Sequence, residues 1–234
     1  MNLLKQINLW NHGWVRLFDV SDSNTSFEKR DVLVSTIASL SRGNIEPEIK
    51  TGLMEKLIEW EHFKPLEFIR GYKDHFEIEY SLRNCNQDFT DYKTHKQNVV
   101  LFMFKVPIFV ARQMMTHRIS WLELSRRYVT PDKVPFEYWF PETIGGKPID
   151  QKELIKRYEN IYYWFRDNRK LSNEIARTFL PLSLYTYMYG MFDMFAYKHF
   201  LYYRLQDSTQ QQTRQVANIM KQLVDEYQPE FEKE

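Results

Sequence analysis

The sequence predicts an α+β fold: one domain with an antiparallel or mixed sheet flanked by helices. Three observations carry this. Strand-like and helix-like segments follow one another without a regular βαβ rhythm. No stretch rich in Pro, Gly or Ser divides the 234 residues, so residues 1–234 read as a single domain. Apolar residues make up 43% and aromatics 16%, enough for a sizeable core and too much for disorder.

The elements follow in order. His12–Val20 (HGWVRLFDV) alternates like a strand and runs into the polar turn SDSN. Thr25 with Glu28 three residues on is a capping box, opening a helix to about Arg42. Pro47 is placed to start a second helix, ending near Trp60. Residues 69–97 are polar and weakly periodic, and read as an insertion that contains Cys85. Val99–Lys105 (VVLFMFK) is a buried strand, and Pro107 begins the helix PIFVARQMMTHR. A polar-aromatic loop is expected through Pro148. Asp150 with Glu153 opens a helix to about residue 168, and Ser172 caps a short one before Pro181. Leu182–Phe192 is strand-like. Asp193 caps a helix to about Arg204, and Ser208 a terminal helix to about Tyr227.

Composition excludes several classes. Lys plus Arg number 32 against 31 Asp plus Glu, a net charge of +1, which is unlike a generally basic nucleic-acid coat. One cysteine excludes an internal disulfide and a multi-cysteine metal site, and the six histidines lack metal-ligand spacing. No metal is expected. The N-terminus has no continuous apolar run, and Val99–Ala111 is interrupted by Lys105 and too short to span a bilayer. The expectation is a cytoplasmic protein without membrane or nucleic-acid partners.

The chemistry concentrates in two places. Residues 112–128 hold Arg112, Arg118, Arg126 and Arg127 with one acid, Glu123, plus Gln113, Thr116, His117 and Ser125. Guanidinium groups suit phosphate because their planar fork donates paired hydrogen bonds. From the residues alone, arginines paired with surface acids explain the run equally well. The second cluster is Arg177, His199, Arg204, Ser208, Thr209, Gln210 and Arg214. His199 and Arg204 are five apart, so they fall on neighbouring helix faces. GxGxxG, GxxxxGK[ST] and GxSxG are all absent, which leaves Rossmann, P-loop and hydrolase-elbow sites unsupported.

Five segments, in this order, resemble the flavin-dependent thymidylate synthase family. HGWVRLFDV resembles its opening strand, and EHFKPLEF at 61–68 its GHxSxxEH segment. VVLFMFKVPIFVARQMMTHRISWLELSRRYV at 99–129 resembles the signature strand, helix and RHR…S…RY run. EIARTFLPLSLYT at 174–186 resembles ARxxLP, and HFLYYRLQDSTQ at 199–210 the late hFlxLR…Q helix. The resemblance implies FAD-dependent methylation of dUMP to dTMP with methylenetetrahydrofolate and NADPH as co-substrates. It also implies a homotetramer with active sites at subunit interfaces, and requires no cysteine nucleophile.

Carried over by position, Gln113, Glu123, Ser125, Arg126, Arg127 and Arg177 would hold dUMP. Arg204 would bind it and polarise the uracil ring as the catalytic residue. His62, Lys64, Thr116, His117, Arg118, Glu123 and His199 fall on flavin positions. There are departures. Thr116 stands for the first Arg of RHR, the signature is one residue short, and Leu122 replaces an Asn. Phe195 stands where an arginine is expected, and Lys64 where a small hydroxyl residue is usual. The losses at 116 and 195 remove two cations, one of which Lys64 would restore. They motivate a second reading, a pyrimidine-nucleotide-binding sensor or scaffold with altered or lost flavin chemistry. A nucleic-acid module using the Arg112–Arg127 patch is a third, opposed by the balanced charge.

Overall fold

The computed structural model of the chain describes residues 2–19, 27–46, 51–60, 65, 68 and 99–231. The expected cap at Thr25, the expected helix start at Pro47, His62, Lys64 and the insertion 69–97 with Cys85 lie outside these residues.

Seven strands form among the described residues: β1 (Asn2–Leu9), β2 (Gly13–Asp19), β3 (Val99–Pro107), β4 (Ser120–Glu123), β5 (Thr143–Ile144), β6 (Lys147–Pro148) and β7 (Tyr185–Asp193). The helices are α1 (Phe27–Ser39), α2 (Met54–Glu59), α3 (Ile108–Met114), α4 (Gln151–Tyr163), α5 (Asn173–Ala176), α6 (Met194–Arg204) and α7 (Gln211–Phe231). The fold is α+β. Its main sheet has the order β1-β2-β3-β7-β4 with every pairing antiparallel, and β5 and β6 form a separate hairpin.

β3 is central because both its faces are apolar. Val100, Phe102, Phe104 and Val106 point to one side, packing with α3, α6 and α7 through Val110, Met114, Phe200, Val216 and Met220. Leu101 and Met103 point to the other, where Leu33, Ile37 and Leu40 cover them. A strand buried on both faces loses the polar alternation of a half-exposed one and reads as a continuous apolar run. The exception is Lys105, which is buried but pairs with Glu137 at 2.6 Å and lies 5.4 Å from the Tyr187 ring. That pairing offsets the cost of burying its charge.

Gly190 of β7 is required by Trp121 on β4. A β-carbon at residue 190 would stand 2.3 Å from Trp121 Cζ3. Gly190→Ala is expected to lower stability by about 1–3 kcal/mol, as overpacking does, read as a reduced urea midpoint.

Several expected boundaries change. β1 is an addition: a register shift between Leu3 and Lys5 puts Leu4, Ile7 and Leu9 against the core and breaks simple alternation. Residues 51–53 are not helical, and α2 begins at Met54. Asp31 and Ser35 of α1 satisfy its first amides, Met54 N donating to Asp31 Oδ1 at 3.0 Å and Leu53 N to Ser35 Oγ at 3.1 Å. The helix after Pro107 stops at Met114 instead of Arg118, and the loop expected beyond it contains β4. Asp150 caps α4 as expected, accepting from Glu153 N at 3.0 Å, but residues 164–168 widen into a π-helical turn. The terminal helix begins at Gln211, three residues past Ser208 rather than directly behind it. No helix among the described residues is long and apolar enough to cross a membrane.

Candidate active site

Two strand–helix units build the site. β3 passes through Pro107, which is extended at φ −63° and ψ 148°, directly into α3. β7 passes into α6, whose first turn is capped by Asp193 Oδ1 accepting from Ala196 N at 2.6 Å. The strands are antiparallel neighbours, and both helices bury their apolar side on the same sheet face. The end of α3 therefore meets α6.

A cavity of about 1000 Å³ opens where they meet. Gln113, Thr116, His117 and Arg118 form one wall. Phe195, His199, Tyr203 and Arg204 form the other, and Ser208, Thr209 and Gln210 close it from the link to α7. The volume is at the upper end of the range for small-molecule sites.

Arg204 is the best-anchored cation here. Its Nε donates to His117 Nε2 at 2.9 Å, and its Nη2 donates to Gln113 O at 2.7 Å and to Thr116 Oγ1 at 2.6 Å. Nη1 makes no hydrogen bond with the described residues. Because His117 Nε2 accepts, the ring is neutral with its proton on Nδ1. Burial first, then the charges of Arg204 and His199, lower the His117 pKa to about 4. The unfolded chain takes up this proton near pH 6.5, and the folded chain resists until about pH 4. The stability contributed by neutral His117 is therefore complete above about pH 6.5 and erodes as pH falls toward 4. Urea denaturation from pH 7 to pH 4 is expected to show a shallower acid slope in His117→Gln, which has no titratable ring.

Aromatic rings stand along α6 at one-turn intervals. Phe195 stacks on His199 at 6.4 Å between centroids, and His199 meets Tyr203 edge-on at 4.8 Å. Tyr203 was not among the residues singled out from sequence, although its i+4 spacing from His199 was a usable signal. Gln113 is held from both ends: its Nε2 donates to Gln210 Oε1 at 2.7 Å, and its Oε1 accepts from Thr213 Oγ1 at 3.2 Å.

The remaining expected residues are off this wall. Glu123 projects from β4 to a side-chain hydrogen bond with Thr186, near Arg112 and Arg177. Burial raises its pKa against the lowering effect of that hydrogen bond and the two arginines. Arg127 pairs with Glu174 at 2.9 Å, and Arg177 Nε donates to the Glu174 carbonyl at 3.3 Å. Ser125 sits in the intervening turn, its carbonyl accepting from Tyr128 N and Val129 N at 3.1 Å. Arg126 turns inward. Its Nη groups donate to the Val134 and Pro135 carbonyls, and its guanidinium lies 5.0 Å from the Phe136 ring. That arrangement ties down the 126–136 loop. Among the described residues, no group of three His, Cys, Asp or Glu side chains is placed to hold a metal ion.

A family model described as Thy1, thymidylate synthase complementing protein, matches residues 23–230. The chain belongs to the Thy1 family. A Treponema denticola protein named flavin-dependent thymidylate synthase is 31% identical over 166 residues, covering 61% of this chain and 59% of that protein. The chain thus spans about three fifths of that relative's length. A Thermotoga neapolitana protein of the same name is 30% identical over 154 residues, covering 62% of this chain and 68% of its own. A Thermosipho melanesiensis protein, again so named, is 27% identical over 225 residues, covering 88% and 82%. Within this Thy1 chain α6 and the end of α3 line one cavity, with Arg204 hydrogen-bonded to Gln113, Thr116 and His117.

Proposed function

We propose that the chain catalyses the FAD-dependent reductive methylation of dUMP to dTMP. The carbon comes from methylenetetrahydrofolate and the reducing equivalents from NADPH. The observation that carries this is Arg204: a cation held rigidly at a cavity wall, with Nη1 left for a ligand. A guanidinium at the carbonyl edge of a uracil ring stabilises negative charge there and makes C5 a better nucleophile. Names of the relatives support the same reading, and no comparison favours a sensor without flavin chemistry.

FAD fits the residues present on two grounds. Arg118 supplies positive charge at the cavity, suited to a pyrophosphate. The rings of Phe195, His199 and Tyr203 offer flat surfaces suited to a planar heterocycle. In this reading His117, Arg118 and His199 hold it, with His62 and Lys64 contributing from outside the described residues, while the Thr116 hydroxyl is taken up by Gln113 and Arg204. Bound FAD supplies the hydride that reduces the transferred methylene, and NADPH restores it.

Gln113 and Arg204 orient the nucleotide base, and Ser125, Arg127 and Arg177 take its phosphate. Glu123, whose pKa burial raises, meets a ligand N–H or O–H. Arg126 acts through the loop it ties down rather than by reaching the phosphate. We take residues 1–234 as one domain carrying the insertion 69–97, active in the cytoplasm as a homotetramer. Exposed apolar side chains at Trp164, Ile175, Phe179 and Leu182 support burial against further copies of the chain.

Rescue of a thymidine-requiring strain tests the reading. The gene is expected to restore growth without thymidine, and Arg204→Ala to abolish rescue. Folded, well-expressed protein that does not rescue would contradict it.

A further inference from the structure

We propose that Thr116 is the positioning residue that sets the catalytic orientation of Arg204. The proposal rests on the reading of Arg204 just given, and adds a residue whose part in the reaction was unassigned.

Thr116 lies just past the end of α3, three residues after Gln113. That spacing lets its hydroxyl turn back to the Gln113 carbonyl, and the two oxygens are 2.8 Å apart. A carbonyl only accepts, so Thr116 donates this bond. Its lone pairs are then directed to a donor, and Arg204 Nη2 lies 2.6 Å away. A guanidinium only donates, so the directions are fixed. The second Nη2 proton goes to the same Gln113 carbonyl at 2.7 Å. Arg204 Nη2, Thr116 Oγ1 and Gln113 O thus form a closed triangle, and β-branching limits the rotamers Thr116 can adopt. His117 fixes Nε from the other side at 2.9 Å. Between them these contacts determine the plane of the guanidinium and leave Nη1 toward the ligand.

The family resemblance leads one to expect arginine at 116. An arginine has no acceptor to offer Arg204 and would set a second positive charge beside it. The threonine is therefore more than a lost flavin contact. In this chain it supplies an acceptor that Arg204 uses.

The test compares Thr116→Val, Thr116→Ser and the parent protein loaded with FAD. Valine keeps the shape and removes the hydroxyl. It is expected to lower kcat for dTMP formation about tenfold or more, the effect of losing one hydrogen bond to a charged group. KM for dUMP, FAD content and melting temperature are expected to stay within about twofold or a few degrees. Serine is expected to recover most of the rate. Valine at the parent kcat, or serine as slow as valine, would overturn the proposal. A second readout does not depend on turnover. In 15N NMR spectra the Arg204 Nη resonances are expected to be resolved by hindered rotation in the parent and serine proteins, and averaged in the valine variant. Resolved resonances in the valine variant would overturn the positioning role. A parent protein that makes no dTMP while its NMR contrast holds would instead count against the proposed function.

Discussion

Alanine at Arg204 is expected to lower dTMP formation by about 10²–10³ in kcat, the cost of removing one preorganised electrostatic donor from a reacting site. The figure is large because little else on that wall replaces it. Among the described residues Arg118 is the other arginine lining the cavity, and it is exposed rather than locked. Arg204 is held at three points, so it needs no reorganisation when charge develops on the ring. Lysine is expected to recover only a small part of the rate. Its ammonium carries the charge but cannot engage His117, Gln113, Thr116 and a planar ligand edge together. Steady-state dTMP production, with FAD content measured on the same samples, separates this effect from loss of cofactor.

The second large effect is on stability. Phe102→Ala is expected to cost about 3–5 kcal/mol, the usual range for deleting a buried ring. Phe102 is fully buried on β3. It stacks against Tyr197 of α6 at 6.2 Å and meets Phe192 of β7 edge-on at 6.0 Å. Removing it opens a void between the central strand and the helix that ends in Arg204. Thermal unfolding is expected near 10 °C lower, at roughly 2–4 °C per kcal/mol for a chain of this size. Phe102→Leu keeps most of the apolar volume and is expected to cost less.

What was legible in the sequence depended on whether the physics was local. β3 and β7 announced themselves as apolar runs because both faces are covered. Asp150 and Asp193 were readable as caps because a cap involves residues only three apart. β1 and β4 were not readable. A bulge spoils the alternation of β1, and β4 is a four-residue segment defined by pairing with β7. The start of α2 at Met54 was not legible because its amides are satisfied by Asp31 and Ser35, on another helix.

The site divides the same way. The motif positions pointed to Gln113, His117, His199 and Arg204, and the cavity gathers all four. Spacing along the chain placed His199 and Arg204 only on neighbouring faces. They share the cavity because α6 crosses the end of α3. Arg126 looked like its neighbour Arg127, and only the carbonyls of Val134 and Pro135 separate their roles. Thr116 read as a missing cation, because its acceptor role depends on Arg204, 88 residues away.

The central claim is that this chain makes dTMP with a flavin, through Arg204. The most direct measurement is mass-spectrometric detection of dTMP after incubating the purified full chain with FAD, NADPH, methylenetetrahydrofolate and dUMP. The expected result is dTMP that requires both FAD and NADPH and falls at least a hundredfold in Arg204→Ala. Folded, FAD-loaded protein that yields no dTMP, or an Arg204→Ala variant as fast as the parent, would contradict it.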